Sequence, residues 1–547
     1  MGILRLKKYQ VFLISIIALA FFLRFYELTQ NPPGFDWDEA SSIYNGYSIA
    51  KTGKDEYKEP YPILFRAYDA YVPPVLIYLD AVSVTVFGLN GFAARFPNAI
   101  LGTASILGLY LLVYVMTENR KFALLSALFL SLSPWHVTYS RVGTFAPLPI
   151  VFIIFGTYFF IRGLTRKWFL LLATLSFMIA TLSYFAAYVF VPLFILALIL
   201  LYRKNLIIWQ AVIIFISILS VVAIPFVLPG GQMRLRGISV LSDPDLIKKD
   251  TLYASQEWGG KLLHNRRLVF AQSLLDGYFS NFHYSFLFDK ADAVRRFIVP
   301  GPGFGLLYWW ELPILLFGIY QLLRNRPNGW LIVILWLLLA PLPSAPTFPK
   351  PASTRSILLV PAFSVLIAYG FWYLSTKSSK LIVLMLAILF SVNVLLFMHQ
   401  YFTHFPKEKA VEWFSAYKPL FAYLNQTENS SKKVIFWIFQ PDYLDQVHMF
   451  TAFYNQIDPQ IYQNYGGTRT GRFGTAGEFA VERFSFIPQN CTDCGKSETY
   501  AEDDLVVTAH ELPYKSVAVF PATDHPSLYV YGMEEISLQG KNPFPIQ

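Results

Sequence analysis

The chain has 547 residues, of which 55% are hydrophobic and 14% charged, and its mean hydropathy is +0.44. Charged residues make up roughly a quarter of an ordinary soluble domain, so this composition excludes a soluble protein of this length and predicts several membrane spans. The net charge of +9 does not indicate nucleic-acid binding, because many basic residues sit in short gaps between apolar runs.

The first apolar run follows a basic start, MGILRLKKYQ, and ends at Leu28 without a small-residue cleavage site, which predicts a retained signal anchor. Further runs predict about eleven transmembrane helices, each near the ~20 residues that cross a bilayer. Segment 73–90 contains two prolines and Asp80, so it is predicted to be an interfacial helix, with a further span as the alternative. The predicted spans are 9–28, 98–116, 122–139, 146–161, 168–183, 186–202, 206–228, 305–323, 330–345, 356–374 and 380–400.

Basic residues mark alternate gaps between these spans. By the positive-inside rule they predict a cytoplasmic N-terminus, and an odd number of spans then predicts an extracytoplasmic C-terminus. The predicted location is the cytoplasmic (plasma) membrane. The basic residues are Lys7 and Lys8, then Arg120 and Lys121, Arg162, Arg166 and Lys167, Arg203 and Lys204, Arg324 and Arg326, and finally Lys377 and Lys380.

Two domains are predicted. Residues 1–400 form a transmembrane domain with two large outer loops, 29–97 and 229–304. Residues 401–547 show alternating apolar stretches at 433–439 and 516–520, which predict strands, and a helical stretch at 408–424. The predicted fold is therefore an α-helical polytopic membrane protein with interfacial helices in the first outer loop and a small C-terminal α/β extracytoplasmic domain.

Acidic residues gather directly after the first span. Asp38 could be a helix N-cap for the run Glu39–Lys51, where an acid is favoured by the helix dipole. Alternatively, an Asp38–Glu39 pair could remove a proton from an acceptor hydroxyl or amine. Other residues of this loop that could support such a site or contact a substrate are Asp36, Trp37, Tyr44, Asp55, Glu56 and Arg66.

Several basic residues at outer ends of the predicted spans are left unexplained by the positive-inside rule. They could extend to lipid phosphates at the membrane surface. They could instead converge on one phosphate group, for which the guanidinium fork is well suited. Those predicted to bind a donor phosphate are Arg355, Arg95, Arg141 and Lys350.

Other motifs give weaker signals. His283, in the second loop, is a base or ligand candidate, with a structural role as the alternative. Cys491 and Cys494 have metal-like spacing, but one pair is half a site, and a local disulfide is the other interpretation. The sequence has neither a nucleotide-binding glycine motif nor a His-rich metal motif, so no cofactor is predicted and a divalent metal is not required.

An ordered set of short motifs resembles the C-type glycosyltransferases, which use lipid-linked sugars. The chain looks most similar to the branch of dolichyl-phosphate-mannose protein mannosyltransferases and the aminoarabinose transferase of lipid A (glycosyltransferase family 39-like). The motifs are WDEA at 37–40, GYSIAKTGKDE at 46–56, YVPP at 71–74, ARFPNAILG at 94–102, SPWH at 133–136, SR at 140–141, the segment 286–313 and RSILLVP at 355–361.

This resemblance implies an inverting enzyme that moves a sugar from a polyprenyl-phosphate donor to a protein, lipid or polysaccharide acceptor at the outer face. Asp38 and Glu39 would then supply the general base, and Arg355 would hold the carrier phosphate. A transporter or flippase, or a polymerase or ligase of lipid-linked saccharides, remains the alternative. A transporter is expected to carry ionisable residues inside its spans, and these spans are nearly free of charge.

Overall fold

A computed structural model describes residues 8–68, 70–228, 266–289, 295–299, 301, 304–437, 446–465, 479–487, 503–509, 511–522 and 525–533. Each predicted span overlaps a helix within these residues. Cys491, Cys494 and most of the second predicted loop lie outside them. In chain order the helices are α1 Lys8–Phe25, α2 Trp37–Thr52, α3 Val75–Phe87, α4 Gly91–Thr117, α5 Arg120–Leu132, α6 Pro134–Ser140, α7 Leu148–Thr165, α8 Phe169–Thr181, α9 Phe185–Leu201, α10 Ile208–Val227, α11 Arg266–Phe279, α12 Glu311–Asn325, α13 Trp330–Leu339, α14 Ser353–Lys377, α15 Lys380–Glu408, α16 Tyr417–Leu424, α17 Val447–Tyr454 and α18 Pro459–Asn464.

Six of the described helices are long and apolar enough to cross a membrane, namely α1, α4, α7, α10, α14 and α15. The α5–α6 pair makes a seventh if it counts as one span. The shorter apolar helices α8, α9 and α13 have 13, 17 and 10 residues and coincide with three more predicted spans. Several apolar helices of this kind indicate that the chain is a membrane protein.

The predicted span 122–139 is broken in the structure. Helices α5 and α6 meet at an angle of 58°. Pro134 has no N–H to continue the helical ladder, and Ser133 instead starts a new helix by accepting a hydrogen bond from the His136 N–H at 3.4 Å. The predicted span 305–323 likewise begins later, at Glu311, whose carboxylate accepts a bond from the Tyr308 N–H at 3.0 Å.

The chain divides into two compact units. Unit 1 contains residues 1–26 and 98–401, which include most of the long apolar helices. Unit 2 contains residues 27–97 and 402–547. The first loop therefore belongs to the same unit as the C-terminal region, although residues 98–400 lie between their predicted boundaries. The division into domains at residue 400 stays a prediction.

Within its described residues, unit 2 contains a six-stranded sheet in the order β4-β5-β3-β6-β8-β7. Strand β3 lies between β5 and β6 and is parallel to both, whereas the outer strands pair antiparallel. Strands β3 and β7 coincide with the two strands predicted from alternation. A separate two-stranded ladder joins β1 to β2 in the first loop. The strands are β1 Phe65–Ala67, β2 Ala70–Val72, β3 Val434–Trp437, β4 Phe479–Val481, β5 Phe484–Ile487, β6 Leu505–Thr508, β7 Ala518–Ala522 and β8 His525–Gly532.

One apolar core joins α2 to the helices and sheet of the C-terminal region. Its buried members include Ile43 and Tyr44 of α2, Phe453 of α17 and Phe484 of β5. The approach is closest at Gly34, where an added Cβ would lie 1.8 Å from the Trp413 carbonyl oxygen. Only glycine fits there, so the segment just before α2 is held against the C-terminal region.

Candidate active site at the start of helix α2

The acidic cluster forms the first turn of α2. Asp36 is the N-cap, with extended backbone angles, and the helix begins at Trp37. The Asp36 N–H donates to Glu39 Oε2 at 3.0 Å, as in a capping box. The prediction that Asp38 is the N-cap of a helix beginning at Glu39 is therefore wrong by two residues. The spacing of Asp36 and Glu39, three residues apart, is the signal that identifies the actual cap.

Glu39 is buried and forms an ion pair with Arg95. Arg95 Nε lies 3.0 Å from Glu39 Oε1, and both side chains are fully buried. The remaining Arg95 N–H groups donate to Glu39 Oε2 at 3.3 Å, to the carbonyls of Leu28 and Pro32 at 2.9 and 2.8 Å, and to the Gly34 carbonyl. All five donors of the guanidinium are thus directed at acceptors in unit 2. A phosphate-binding role for Arg95, which stays a prediction, would require some of these bonds to break.

Asp38 has different surroundings from its neighbour. Its side chain is half-buried, whereas Asp36 and Glu39 are 2% and 1% exposed. Desolvation raises the pKa of the half-buried Tyr68 hydroxyl, and the charges of Asp38, Glu56 and Asp36 raise it further. Tyr68 in turn donates its hydroxyl to the Trp37 carbonyl at 2.8 Å. Of the two adjacent acids, Asp38 is the more exposed.

Helix α3 packs tightly against α2 and presents a carboxyl group that the sequence analysis did not single out as a site residue. An added Cβ at Gly46 would lie 2.8 Å from Asp80 Cβ, so the two helices meet at these positions. Asp80 is 1% exposed, and its Oδ2 accepts the Ser42 hydroxyl at 2.6 Å. Because Ser42 lies one turn after Asp38, α3 fixes the first half of α2.

Two other predicted acids of the loop, Glu56 and Asp55, form hydrogen bonds within the fold. Glu56 Oε1 accepts from Asn45 Nδ2 at 3.0 Å, while the Glu56 N–H donates back to Asn45 Oδ1 at 3.1 Å. Asp55 Oδ1 accepts the N–H groups of Tyr57 and Glu59, both at 2.9 Å. Burial raises the pKa of Asp55, and these two hydrogen bonds oppose the rise. Both acids thereby hold the turn that follows α2.

We predict that Asp55→Asn removes a pH dependence of stability. The pKa of Asp55 is raised in the folded state, so its contribution to stability is complete below about pH 4 and is lost as the pH rises through the raised value. Asparagine keeps the Oδ1 acceptor and cannot ionise. We expect the wild-type melting temperature to fall over this range more steeply than that of the variant.

Thermal unfolding of the detergent-solubilised protein between pH 4.5 and 8 would measure this difference. Glu428→Gln is the control, since Glu428 is an exposed acid of unit 2 outside this turn. Identical pH profiles for wild type and Asp55→Asn would contradict the prediction.

The remaining candidates of the first loop are also in unit 2. Tyr44 is fully buried, and its hydroxyl donates to the Ile457 carbonyl at 3.1 Å, so it is not open to a sugar. Trp37 is half-buried, with its ring 5.4 Å from that of Phe414. The Arg66 guanidinium lies 4.5 Å from the Tyr57 ring.

The other basic candidates are in unit 1. Arg141 is fully buried and donates to the Leu23 carbonyl at 2.7 Å. Lys350 forms an ion pair with Asp276 at 2.9 Å and donates to the Ser273 hydroxyl at 2.9 Å. Arg355 is half-buried. His283 is exposed, and its Nδ1 lies 3.3 Å from the Ser285 hydroxyl.

Arg355 also supports its own loop. Its NH1 group lies 3.0 Å from the Thr347 hydroxyl and 3.3 and 3.2 Å from the carbonyls of Phe348 and Pro349. Phosphate binding by Arg355 stays a prediction, as it does for Arg141 and Lys350.

A buried polar cluster in unit 1 was missed by the sequence analysis. Arg24 NH2 lies 2.7 Å from His136 Nδ1, and His136 Nε2 lies 3.1 Å from the Ser105 hydroxyl. Because the guanidinium can only donate, His136 Nδ1 accepts and the ring proton is on Nε2. Arg24 is a charged residue near the end of the first apolar run, and this unusual position is the sequence feature that indicates a buried polar cluster.

The described residues contain no group of three or more His, Cys, Asp or Glu side chains placed to hold a metal ion.

Comparison with known proteins gives partial sequence matches. Residues 71–228 match the family model described as dolichyl-phosphate-mannose-protein mannosyltransferase. "Putative mannosyltransferase YkcB" of Bacillus subtilis (strain 168) is 25% identical over 155 residues, which are 28% of this chain and 21% of that protein. An uncharacterised protein of Aquifex aeolicus (strain VF5) is 28% identical over 169 residues, 30% of this chain and 31% of that protein. The matched stretches thus span less than a third of either relative.

Structural comparison extends over nearly the whole chain. ArnT from Cupriavidus metallidurans in the apo state has a TM-score of 0.53, covering 96% of this chain and 98% of ArnT at 11% identity. ArnT bound to undecaprenyl phosphate has a TM-score of 0.52, covering 95% and 97% at 11% identity. At this identity the likeness shows the fold alone. The resemblance and the fold class predicted from the sequence are confirmed.

Proposed function

We propose that this chain, which has the C-type glycosyltransferase fold, transfers a sugar from a polyprenyl-phosphate donor to an acceptor at the outer face of the membrane. The family model and one relative are named for mannosyl transfer, and the similar ArnT structure contains undecaprenyl phosphate. These matches support a lipid-linked donor, with a mannosyl group as the first sugar to test.

The observation that carries the proposal is the contrast between two adjacent acids. Glu39 is buried and neutralised by Arg95 3.0 Å away, whereas Asp38 is half-buried at the first turn of the same helix. A carboxylate that acts as a base must reach the proton that it removes. The greater exposure of Asp38 favours it for this role, and the ion pair of Glu39 suits it to hold the turn in place. We therefore propose Asp38 as the base and Glu39 as its support.

The proposed reaction is a single displacement with inversion. The acceptor oxygen or nitrogen attacks the anomeric carbon of the sugar, and its proton passes to the Asp38 carboxylate. A bond forms between the acceptor atom and this carbon as the bond from the carbon to the phosphate oxygen breaks. The polyprenyl phosphate leaves with the electron pair, so positive charge near the phosphate is enough to stabilise it.

The proposed orientation in the membrane follows from the distribution of basic residues along the chain. The basic gaps between the spans favour a cytoplasmic N-terminus by the positive-inside rule. The first loop and the C-terminal region would then be extracytoplasmic, where a lipid-linked donor replaces a nucleotide sugar.

The function is tested with purified protein in lipid vesicles. A polyprenyl-phosphate mannose labelled in the sugar is supplied with a cell-envelope extract as the acceptor pool, and release of polyprenyl phosphate is measured. We expect the amount of labelled sugar transferred to the extract to be proportional to the amount of polyprenyl phosphate released. Transfer from GDP-mannose instead, or carrier movement across the vesicle without release of the sugar, would overturn the proposal.

We predict that Arg355→Ala raises the KM for the lipid donor about tenfold or more, because a hydrogen bond to a charged group contributes roughly 1.5–3 kcal/mol. Thr347→Val is the matched control. It removes one acceptor of the Arg355 side chain without removing the positive charge. An equal rise of the donor KM in both variants would show that Arg355 supports the loop rather than binding phosphate.

A further inference from the structure

The C-terminal region places a buried amide against the helix that carries Asp38. Gln463 of α18 is 6% exposed. Its Nε2 lies 3.0 Å from the Ser48 hydroxyl, 3.0 Å from the Thr52 hydroxyl and 3.0 Å from the Asp55 carbonyl. One side chain thus contacts both the last turns of α2 and the turn that follows.

The directions of these hydrogen bonds are fixed by their partners. The Ser48 hydroxyl donates to the Lys54 carbonyl at 2.7 Å, and the Thr52 hydroxyl donates to the Ser48 carbonyl at 2.9 Å. Both oxygens therefore accept from Gln463, and the Asp55 carbonyl can only accept, so these three acceptors share the two N–H groups of the amide. An amide rotated by 180° would bring two carbonyl oxygens together, so the amide N–H groups must face α2 and Asp55.

Neighbouring residues extend the same contact along one face of α2. The Tyr44 hydroxyl donates to the Ile457 carbonyl at 3.1 Å, and the Tyr44 and Tyr462 rings meet edge to face at 5.2 Å. Positions 44, 48 and 52 are four residues apart and so lie on one side of the helix. Asp458 caps α18 by accepting the Gln460 N–H at 2.7 Å, which fixes Gln463 within its short helix.

We propose that Gln463 is a positioning residue for Asp38. Ser48 and Asp38 are ten residues apart, or about 15 Å along the helix, so Gln463 acts through α2 and touches no reacting atom. It fixes the rotation and axial position of α2, and these set the direction of the Asp38 carboxylate. This inference rests on the proposed function of Asp38.

Gln463→Ala and Gln463→Glu both test the proposal. Glutamate has nearly the same shape but no N–H groups, and its carboxylate would face the Asp55 carbonyl. Since a misplacement of about 1 Å at a reacting group can cost about a hundredfold in rate, we expect kcat to fall about 10- to 100-fold. The donor KM should change less than about twofold, because no donor contact is removed. Gln460→Ala, at an exposed position of the same helix, should behave as wild type.

A double-variant cycle distinguishes positioning from a general loss of structure. If Gln463 acts through Asp38, the pair Asp38→Asn and Gln463→Ala should be no less active than Asp38→Asn alone. An additive loss, or an unchanged kcat in Gln463→Ala, would overturn the proposal. If wild-type protein fails to use the polyprenyl donor, the proposed function itself is wrong.

Hydrogen exchange provides a readout that does not depend on activity. We expect faster exchange of backbone amides in 37–53 in Gln463→Ala, relative to wild type and to Gln460→Ala. Unchanged exchange in this segment would also overturn the inference.

Discussion

Asp38→Asn is expected to lower sugar transfer by about 10²- to 10⁴-fold, the range contributed by a positioned general base. The amide cannot take the acceptor proton. Asparagine has nearly the same shape as aspartate, and position 38 is half-buried, so the fold should tolerate the change. The lost interaction of a carboxylate with the helix N-terminus amounts to about 0.3–1 kcal/mol. We therefore expect folded protein with little transfer.

The measurement compares initial rates of label transfer from the polyprenyl donor with the thermal unfolding of the same preparation. Glu59→Gln is the control, because it removes one negative charge from an exposed position of the same loop. It should retain both activity and stability. Transfer at the wild-type rate by Asp38→Asn would rule out Asp38 as the base.

Arg95→Met is expected to have the largest effect on stability. It removes a guanidinium with five hydrogen bonds and leaves the Glu39 carboxylate buried without its partner. Breaking one side of a buried ion pair costs about 3–5 kcal/mol. Arg95→Lys should also be destabilising, since an ammonium group has three donors for these acceptors and lacks the planar fork.

Thermal unfolding and protease resistance of the detergent-solubilised variants would measure this effect. The double variant Glu39→Leu with Arg95→Met removes both charges, so it should lose less stability than the two single variants added together. Glu39→Gln separates the roles of the two acids. If Glu39 supports the turn, this variant should lose stability in step with activity, whereas normal stability with abolished transfer would identify Glu39 as the base.

The apolar helices were predictable because their signal is local. A run of about 20 apolar residues selects a helix in a membrane whatever lies elsewhere in the chain. The break at Pro134 has an equally local cause, but the continuous apolar composition of 122–139 conceals it. The cap at Asp36 was also within reach, since an acid followed three residues later by glutamate is a capping-box pattern.

The partners of helix α2 could not be predicted in this way. Tyr44 and Ile457 are 413 residues apart in the chain, and their contact depends on the folded sheet of the C-terminal region. The ion pair between Glu39 and Arg95 could not be predicted either, because neither residue indicates from the sequence which partner it has. Proposing different roles for Asp38 and Glu39 required the exposed fraction of each side chain, which a single sequence does not provide.

The contact between Thr52 and Gln463 has a consequence for biosynthesis, because the two residues are 411 positions apart. At about 5–20 residues per second, helix α2 is made about 20–80 s before the residue that fixes it. Strand β3 likewise waits for β5 and β6, which follow it in the chain. The segment bearing Asp38 is therefore synthesised well before its final partners. A chain stopped before Gln463 would lack the amide contact to α2 and also strands β4 to β8, so premature termination should lower activity at least as much as Gln463→Ala does.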